Sequence, residues 1–187
     1  MDRGYIYLNK KSYLHNLEVL KNLSRKELCL VVKANAYGHG LEWAVKNAKE
    51  SGVKWFAVAS VDEGIEVKKV YGDSRVLLLA EPSITQLDNV KENNIDLTVY
   101  NESFIDTLIE TGDEFSVHLK IDTGMHRLGC PPEKFYNLHK KIADSNLNPV
   151  GICTHFPLAD TDETETKKAI ELFEKTCLLY TSPSPRD

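Results

Sequence analysis

Six short runs rich in Val, Ile, Leu and aromatic residues recur along the chain, at 28–34, 54–59, 75–80, 95–100, 115–122 and 150–155. Several are apolar at every position. A strand with one wet face alternates, so runs such as Val76-Leu77-Leu78-Leu79-Ala80 require burial on both faces, the condition of a parallel sheet covered by helices. Helix signals fill the gaps between the runs. Leu41–Glu50 has a helix-compatible pattern that Gly52 stops. Ser60-Val61-Asp62-Glu63 reads as a capping box, with Ser60 as the cap and Glu63 reaching back to it. Asn101 is placed to cap Glu102–Glu110, where Phe104, Leu108 and Ile109 form an apolar stripe. Thr161 is placed to cap a helix over about 162–176, whose acids Asp162, Glu163 and Glu165 suit the positive end of the helix dipole. Uninterrupted strand–helix alternation predicts a parallel α/β fold. No G-x-G-x-x-G follows the first strand, which disfavours a dinucleotide-binding sheet. The competing architecture is a (β/α)8 barrel. Six βα units fall short of its eight strands and of its usual ~250 residues.

Composition narrows the function classes. The chain has 187 residues, 42% hydrophobic and 27% charged, with a net charge of −5. That balance opposes disorder, and an acidic pI near 5.7 opposes nucleic acid as the main partner. No run approaches the ~18–20 apolar residues of a membrane span, and no signal-peptide core follows Met1, so a cytoplasmic protein is expected. Cys29, Cys130, Cys153 and Cys177 form no C-x-x-C pair, and the six histidines show no metal spacing, so no metal site is expected. The last eleven residues end in a Ser/Pro stretch that cannot continue a helix. They resemble translated adapter sequence, so 177–187 is expected to be a non-native tail and 1–176 the native part.

The densest feature is Val31-Val32-Lys33-Ala34-Asn35-Ala36-Tyr37-Gly38-His39-Gly40. A buried strand delivers a lysine at its C-terminal end and then turns through two glycines. Barrel active sites lie at that end of the strands. Burial disfavours the ammonium form and frees the neutral amine for Schiff-base chemistry. A strand-terminal lysine reaching solvent beside a glycine turn fits the same residues, and at this level both readings stand. The G-K-[ST] ending of a phosphate-binding loop is missing.

Val31 to Gly40 resembles the pyridoxal-phosphate attachment signature of the alanine racemases. Lys120-Ile121-Asp122-Thr123-Gly124-Met125-His126-Arg127-Leu128-Gly129 resembles that family's second signature, and Thr154-His155-Phe156-Pro157-Leu158-Ala159-Asp160 its third. All three fall at strand ends, in the family's order. The resemblance implies that Lys33 binds pyridoxal 5'-phosphate covalently and acts as one of two catalytic bases. Tyr37 would hydrogen-bond the cofactor phosphate, and Leu79 would contact the apolar side of the ring. Arg127 would lie beside the phenolic oxygen and the substrate carboxylate, where a guanidinium fork suits an anion. Lys120 matches a position carbamylated in some members, where it orients that arginine. Met125 matches a position whose backbone amide approaches the substrate carboxylate across a dimer interface. His155 matches a histidine in the hydrogen-bond chain to the pyridine nitrogen, and His39 is read as structural.

The implied activity is racemisation of alanine to D-alanine for peptidoglycan, by a cytoplasmic homodimer with no nucleic-acid or membrane partner. In the family the second base is a tyrosine from the C-terminal domain of the partner subunit. This chain is therefore expected to be an incomplete (β/α)8 barrel and inactive alone. A serine or broad-specificity amino-acid racemase is the nearest alternative. A non-catalytic pyridoxal-phosphate barrel is the other, although the A-N-A-Y-G-H-G continuation and Arg127 favour the racemase.

Overall fold

All six apolar runs become strands in the computed structural model, which describes residues 4–181: β1 (Cys29–Val31), β2 (Trp55–Val58), β3 (Arg75–Leu78), β4 (Ile95–Val99), β5 (Ser116–Lys120) and β6 (Asn148–Cys153). β1 to β5 are shorter than their apolar runs, because the flanking residues belong to the turns, while β6 starts and ends two residues before its run. The helices are α1 (Lys10–Ser24), α2 (Lys33–Tyr37, a single turn), α3 (Leu41–Glu50), α4 (Val61–Val70), α5 (Leu87–Glu92), α6 (Glu102–Glu110), α7 (Phe135–Ala143) and α8 (Glu163–Thr181). β1 is followed by α2 and α3 and every later strand by one helix, which is the expected βα repeat. Contacts divide the chain into two units between Asp96 and Leu97.

In the first unit β1, β2 and β3 pair in parallel, with Leu30 opposite Phe56 and Phe56 opposite Val76. Phe56, Val58 and Val76 are fully buried. Helix α3 buries Leu41, Ala44, Val45 and Ala48, the i, i+3, i+4, i+7 spacing of one helical face. Helix α4 buries Val61, Gly64 and Val67. A Cβ on Gly64 would stand 2.8 Å from Ile95 Cδ1, so that position admits the close approach of the chain. Helix α1 packs on α3 through Tyr13, whose ring lies 5.0 Å from that of Trp43. The Tyr13 hydroxyl donates to the Ala44 carbonyl at 3.1 Å. Burial pushes that hydroxyl's pKa up to about 12.

In the second unit β4, β5 and β6 pair in parallel, with Leu97 opposite Val117 and Leu119 opposite Ile152. An irregularity at Val117/His118 lets β5 and β6 slip by one residue, so His118 faces Gly151. A Cβ on Gly151 would meet His118 Nδ1 at 2.3 Å, and only glycine fits. Asn101 caps α6 as expected, its side chain accepting from the Ser103 amide at 3.1 Å. The apolar face of α6 is Phe104, Ile105 and Leu108; Ile109 of the expected stripe is only half-buried, because Ile105 takes the inner position.

Two further expectations are corrected. The cap of α8 is Asp162 rather than Thr161, since the Asp162 carboxylate accepts from the Glu165 amide at 3.0 Å. Helix α8 also runs past 176 to Thr181, while 182–187 of the expected tail lies outside the described residues. Burial on both faces holds for the apolar residues of β2 to β5 except the half-buried Trp55, but not for β1 and β6. Val31 of β1 is 38% exposed and Val150 of β6 is 39% exposed. Among the described residues no helix is long and apolar enough to cross a membrane, and no cluster of three His, Cys, Asp or Glu is placed to hold a metal.

Gly151→Ala tests the β5–β6 packing. The added methyl must displace the His118 ring, and overpacking of this kind costs about 1–3 kcal/mol. Urea unfolding should show that loss; an unchanged midpoint would mean that the His118 ring moves freely.

Candidate active site

The strand carrying Lys33 ends in an unusual turn. The Val32 amide still donates to Ala57, at 2.9 Å, as the last bond of the β1–β2 ladder. Lys33 follows, half-buried rather than buried as the sequence suggested. Ala34, Asn35, Ala36 and Tyr37 then adopt φ of 52°, 53°, 51° and 53°. Four successive non-glycine residues are left-handed. Each such residue costs about 1–2 kcal/mol, so the turn stores roughly 4–8 kcal/mol. Gly38 and Gly40, both at φ 87°, leave it without further penalty.

Hydrogen bonds offset that cost. The Ala36 amide donates to Val32 at 2.8 Å, and the Gly38 amide is shared between Ala34 (3.2 Å) and Asn35 (3.1 Å). The Gly40 amide donates to the Asn35 carbonyl at 3.0 Å. Three side chains complete the set. The Asn35 Oδ1 accepts from the Leu41 amide at 2.7 Å and so caps α3, whose own cap residue is glycine. The His39 backbone amide (3.1 Å) and ring Nδ1 (2.9 Å) both meet the Ala36 carbonyl, the contact of a structural histidine. Glu63 supplies the third anchor.

Glu63 departs from the expected capping box. Its amide donates to Ser60 Oγ at 3.3 Å, as predicted. Its carboxylate does not return to Ser60. Oε2 accepts from the Ala59 amide at 2.9 Å, and Oε1 accepts from the Ala34 amide at 2.6 Å. One carboxylate thus joins the end of β2 to the peptide that directly follows Lys33. Tyr37, 61% exposed, and Leu79, half-buried one residue beyond β3, belong to the same unit.

The second unit carries the remaining candidates. Lys120 closes β5 and is buried, opposite Cys153 in the β6 register. Burial pushes the Cys153 thiol up to about 11, against the pull of the Lys120 charge. The loop after Lys120 folds back on itself. The Cys130 amide donates to the Lys120 carbonyl at 2.8 Å, and the Asp122 amide donates to the Cys130 carbonyl at 2.9 Å. Gly129 permits this fold: its φ is 136°, and a Cβ there would meet the Asp122 nitrogen at 2.6 Å. Within the loop Asp122 Oδ1 accepts from the amides of Gly124 (2.9 Å) and His126 (3.1 Å). Partial burial pushes the Asp122 carboxyl up. The amides of Gly124 and His126, the His126 charge and the Met125 amide outweigh it and hold the group below the usual aspartate range.

Asp122 therefore shapes the segment that presents Met125, half-buried, and Arg127, exposed. Thr154 ties the ends of β5 and β6: its hydroxyl donates to the Ile121 carbonyl at 2.8 Å and accepts from Thr123 Oγ1 at 2.8 Å. His155, the next residue, is exposed. Every sequence-predicted residue thus lies at or just after the C-terminal end of its strand. Sequence reasoning missed the anchoring roles of Asn35, Glu63, Asp122 and Thr154. Asp122 had a local signal, an aspartate opening a turn through Thr123 and Gly124.

Comparison with known proteins places these features. The family profile "Alanine racemase, N-terminal domain" matches residues 8–183. An alanine racemase of Treponema denticola is 35% identical over 182 residues, covering 92% of this chain and 48% of that protein. The crystal structure of biosynthetic alanine racemase from Pseudomonas aeruginosa has a TM-score of 0.83 at 28% identity, covering 92% of this chain and 49% of its own. A histidine racemase from Leuconostoc mesenteroides has a TM-score of 0.81 at 25% identity, covering 95% of this chain and 49% of its own. The chain spans about half the length of each of these three relatives.

Asp122 should mark the acid limb of stability. Because its folded-state pKa is depressed, its contribution is full above the ordinary aspartate pKa and is lost as pH falls through the folded value. Melting temperatures should place Asp122→Ala below the wild type at neutral pH, with the gap closing below about pH 4. A gap independent of pH would show that the carboxylate charge plays no part.

Proposed function

The chain belongs to the alanine racemase N-terminal domain family, and we propose that it supplies the lysine-bearing half of a pyridoxal-phosphate-dependent racemase acting on alanine. The observation that carries this reading is the presentation of Lys33 by a costly left-handed turn at a strand's C-terminal end. Such strain is kept where surrounding structure fixes it for function.

The donor set fits the cofactor. Lys33 offers a half-buried amine for the aldehyde, Tyr37 an exposed hydroxyl for the phosphate, and Leu79 an apolar side chain for the ring. When bound, pyridoxal phosphate withdraws electrons from the amino acid's α-carbon, so that the α-proton can leave. Lys33 Nζ removes or returns that proton on one face. Arg127 holds the substrate carboxylate with its guanidinium fork, helped by the Met125 amide. Lys120, when carbamylated, orients Arg127; His155 supports the ring nitrogen's hydrogen-bond chain.

Racemisation requires a base on each face of the planar α-carbon. By family resemblance the second base comes from the C-terminal part of a partner subunit, so the whole protein acts as a homodimer that makes D-alanine for peptidoglycan. The same fold in a histidine racemase supports a second reading, a racemase of another amino acid.

Incubation with pyridoxal phosphate and borohydride should attach the label at Lys33, read by peptide mapping, and Lys33→Ala should lose it. Labelling spread evenly over surface lysines would overturn the cofactor assignment. The chain alone should form D-alanine at least about a hundredfold more slowly than the Treponema denticola enzyme, the effect of one missing general base. Comparable turnover would refute the need for the second half.

A further inference from the structure

We propose that Glu63 is a positioning residue for Lys33, acting through the Ala34 peptide. The proposal deepens the reading of Lys33 as the reactive lysine and rests on it. The geometry is specific. Of the anchors around the left-handed turn, Asn35 and His39 lie within the motif and bond to its far side. Glu63 is twenty-nine residues away in sequence, on the first turn of α4, and binds the near side.

Its Oε1 accepts from Ala34 at 2.6 Å, the peptide bonded to the Lys33 carbonyl carbon, while Oε2 holds the end of β2 at Ala59. The change from negative to positive φ falls at Ala34 (φ 52°, ψ 50°). A charged acceptor on that amide fixes the peptide plane beside the Lys33 Cα, and hence the direction in which the lysine side chain leaves the strand. Charge-assisted bonds of this kind are about twice as strong as neutral ones. The ladder cannot do this work, because its last bond is made one residue earlier, by Val32.

Glu63 has a second, separable role, since its backbone amide donates to Ser60 Oγ. Ser60→Ala removes the cap and leaves the clamp; Glu63→Ala removes the clamp and leaves the cap. Glu63→Gln retains one carbonyl acceptor without the charge, and covers the case in which the alanine variant fails to fold.

Amide hydrogen exchange on the cofactor-free chain should show Ala34 exchanging about ten- to a hundredfold faster in Glu63→Ala, less so in Glu63→Gln, and unchanged in Ser60→Ala. In parallel, the acetylation rate of Lys33 by acetic anhydride, relative to exposed Lys11, should change by about threefold or more in Glu63→Ala at folded temperatures, and remain at the wild-type ratio in Ser60→Ala. Unchanged Ala34 exchange would overturn the clamp. Faster Ala34 exchange with an unaltered Lys33 ratio would reduce Glu63 to a structural role. Failure of the wild type to take pyridoxal phosphate at Lys33 counts against the cofactor reading instead, and these two measurements, which need no cofactor, still decide the role of Glu63.

Discussion

A parallel sheet ends abruptly, and the peptide groups just beyond its last ladder bond must find partners elsewhere. That constraint organises the functional end of this molecule. Beyond β1 and β2 the amides of Ala34 and Ala59 are taken by one carboxylate, Glu63. Beyond β5 the Ile121 carbonyl is taken by Thr154, and the Lys120 carbonyl by the returning Cys130 amide. Each solution fixes a turn, and each fixed turn carries a candidate for chemistry. The candidate residues sit where they do because the loose ends of the strands are tied with side chains.

The two halves of the chain solve the problem differently. In the first, an acid reaches across from a neighbouring helix, and the turn it holds is strained. In the second, Asp122 works locally, gathering amides two and four residues ahead. Gly129 lets the loop close against it. The first arrangement resists motion of Lys33 through a contact distant in sequence. The second places Met125 and Arg127 through contacts contained in ten residues.

Much of this was legible in the sequence, for identifiable reasons. Runs rich in Val, Ile, Leu and aromatic residues stand out whether the strand is buried on both faces, as β2 to β5 largely are, or partly exposed, as β1 and β6 are. All six were therefore readable, and the three signatures fall at their ends. Asn101 and Ser60 were readable because caps are local. Helix α1 was not singled out, since it buries only Leu17 fully and offers no strong apolar stripe. Ile105 and Ile109 lie about one turn apart on the same side of α6, and Asp162 and Thr161 are adjacent residues that both suit a cap, so periodicity does not choose between them. The partners of Glu63 were hidden for a deeper reason: a capping box describes what Ser60 and Glu63 can do alone, and the fold offered Glu63 two better donors. The handedness at Ala34 to Tyr37 was equally hidden, because alanine favours the opposite hand.

That handedness reverses the ordinary rules of substitution. A left-handed turn has the backbone conformation that D-residues adopt without strain and L-residues adopt only at a cost. At Ala34 the usual penalty for replacing alanine by glycine inside a helix changes sign, and a chain assembled chemically with a D-residue there would meet no steric objection from its own backbone. The segment that presents Lys33 is, in stereochemical terms, a short length of the opposite enantiomer's helix spliced into an L-protein.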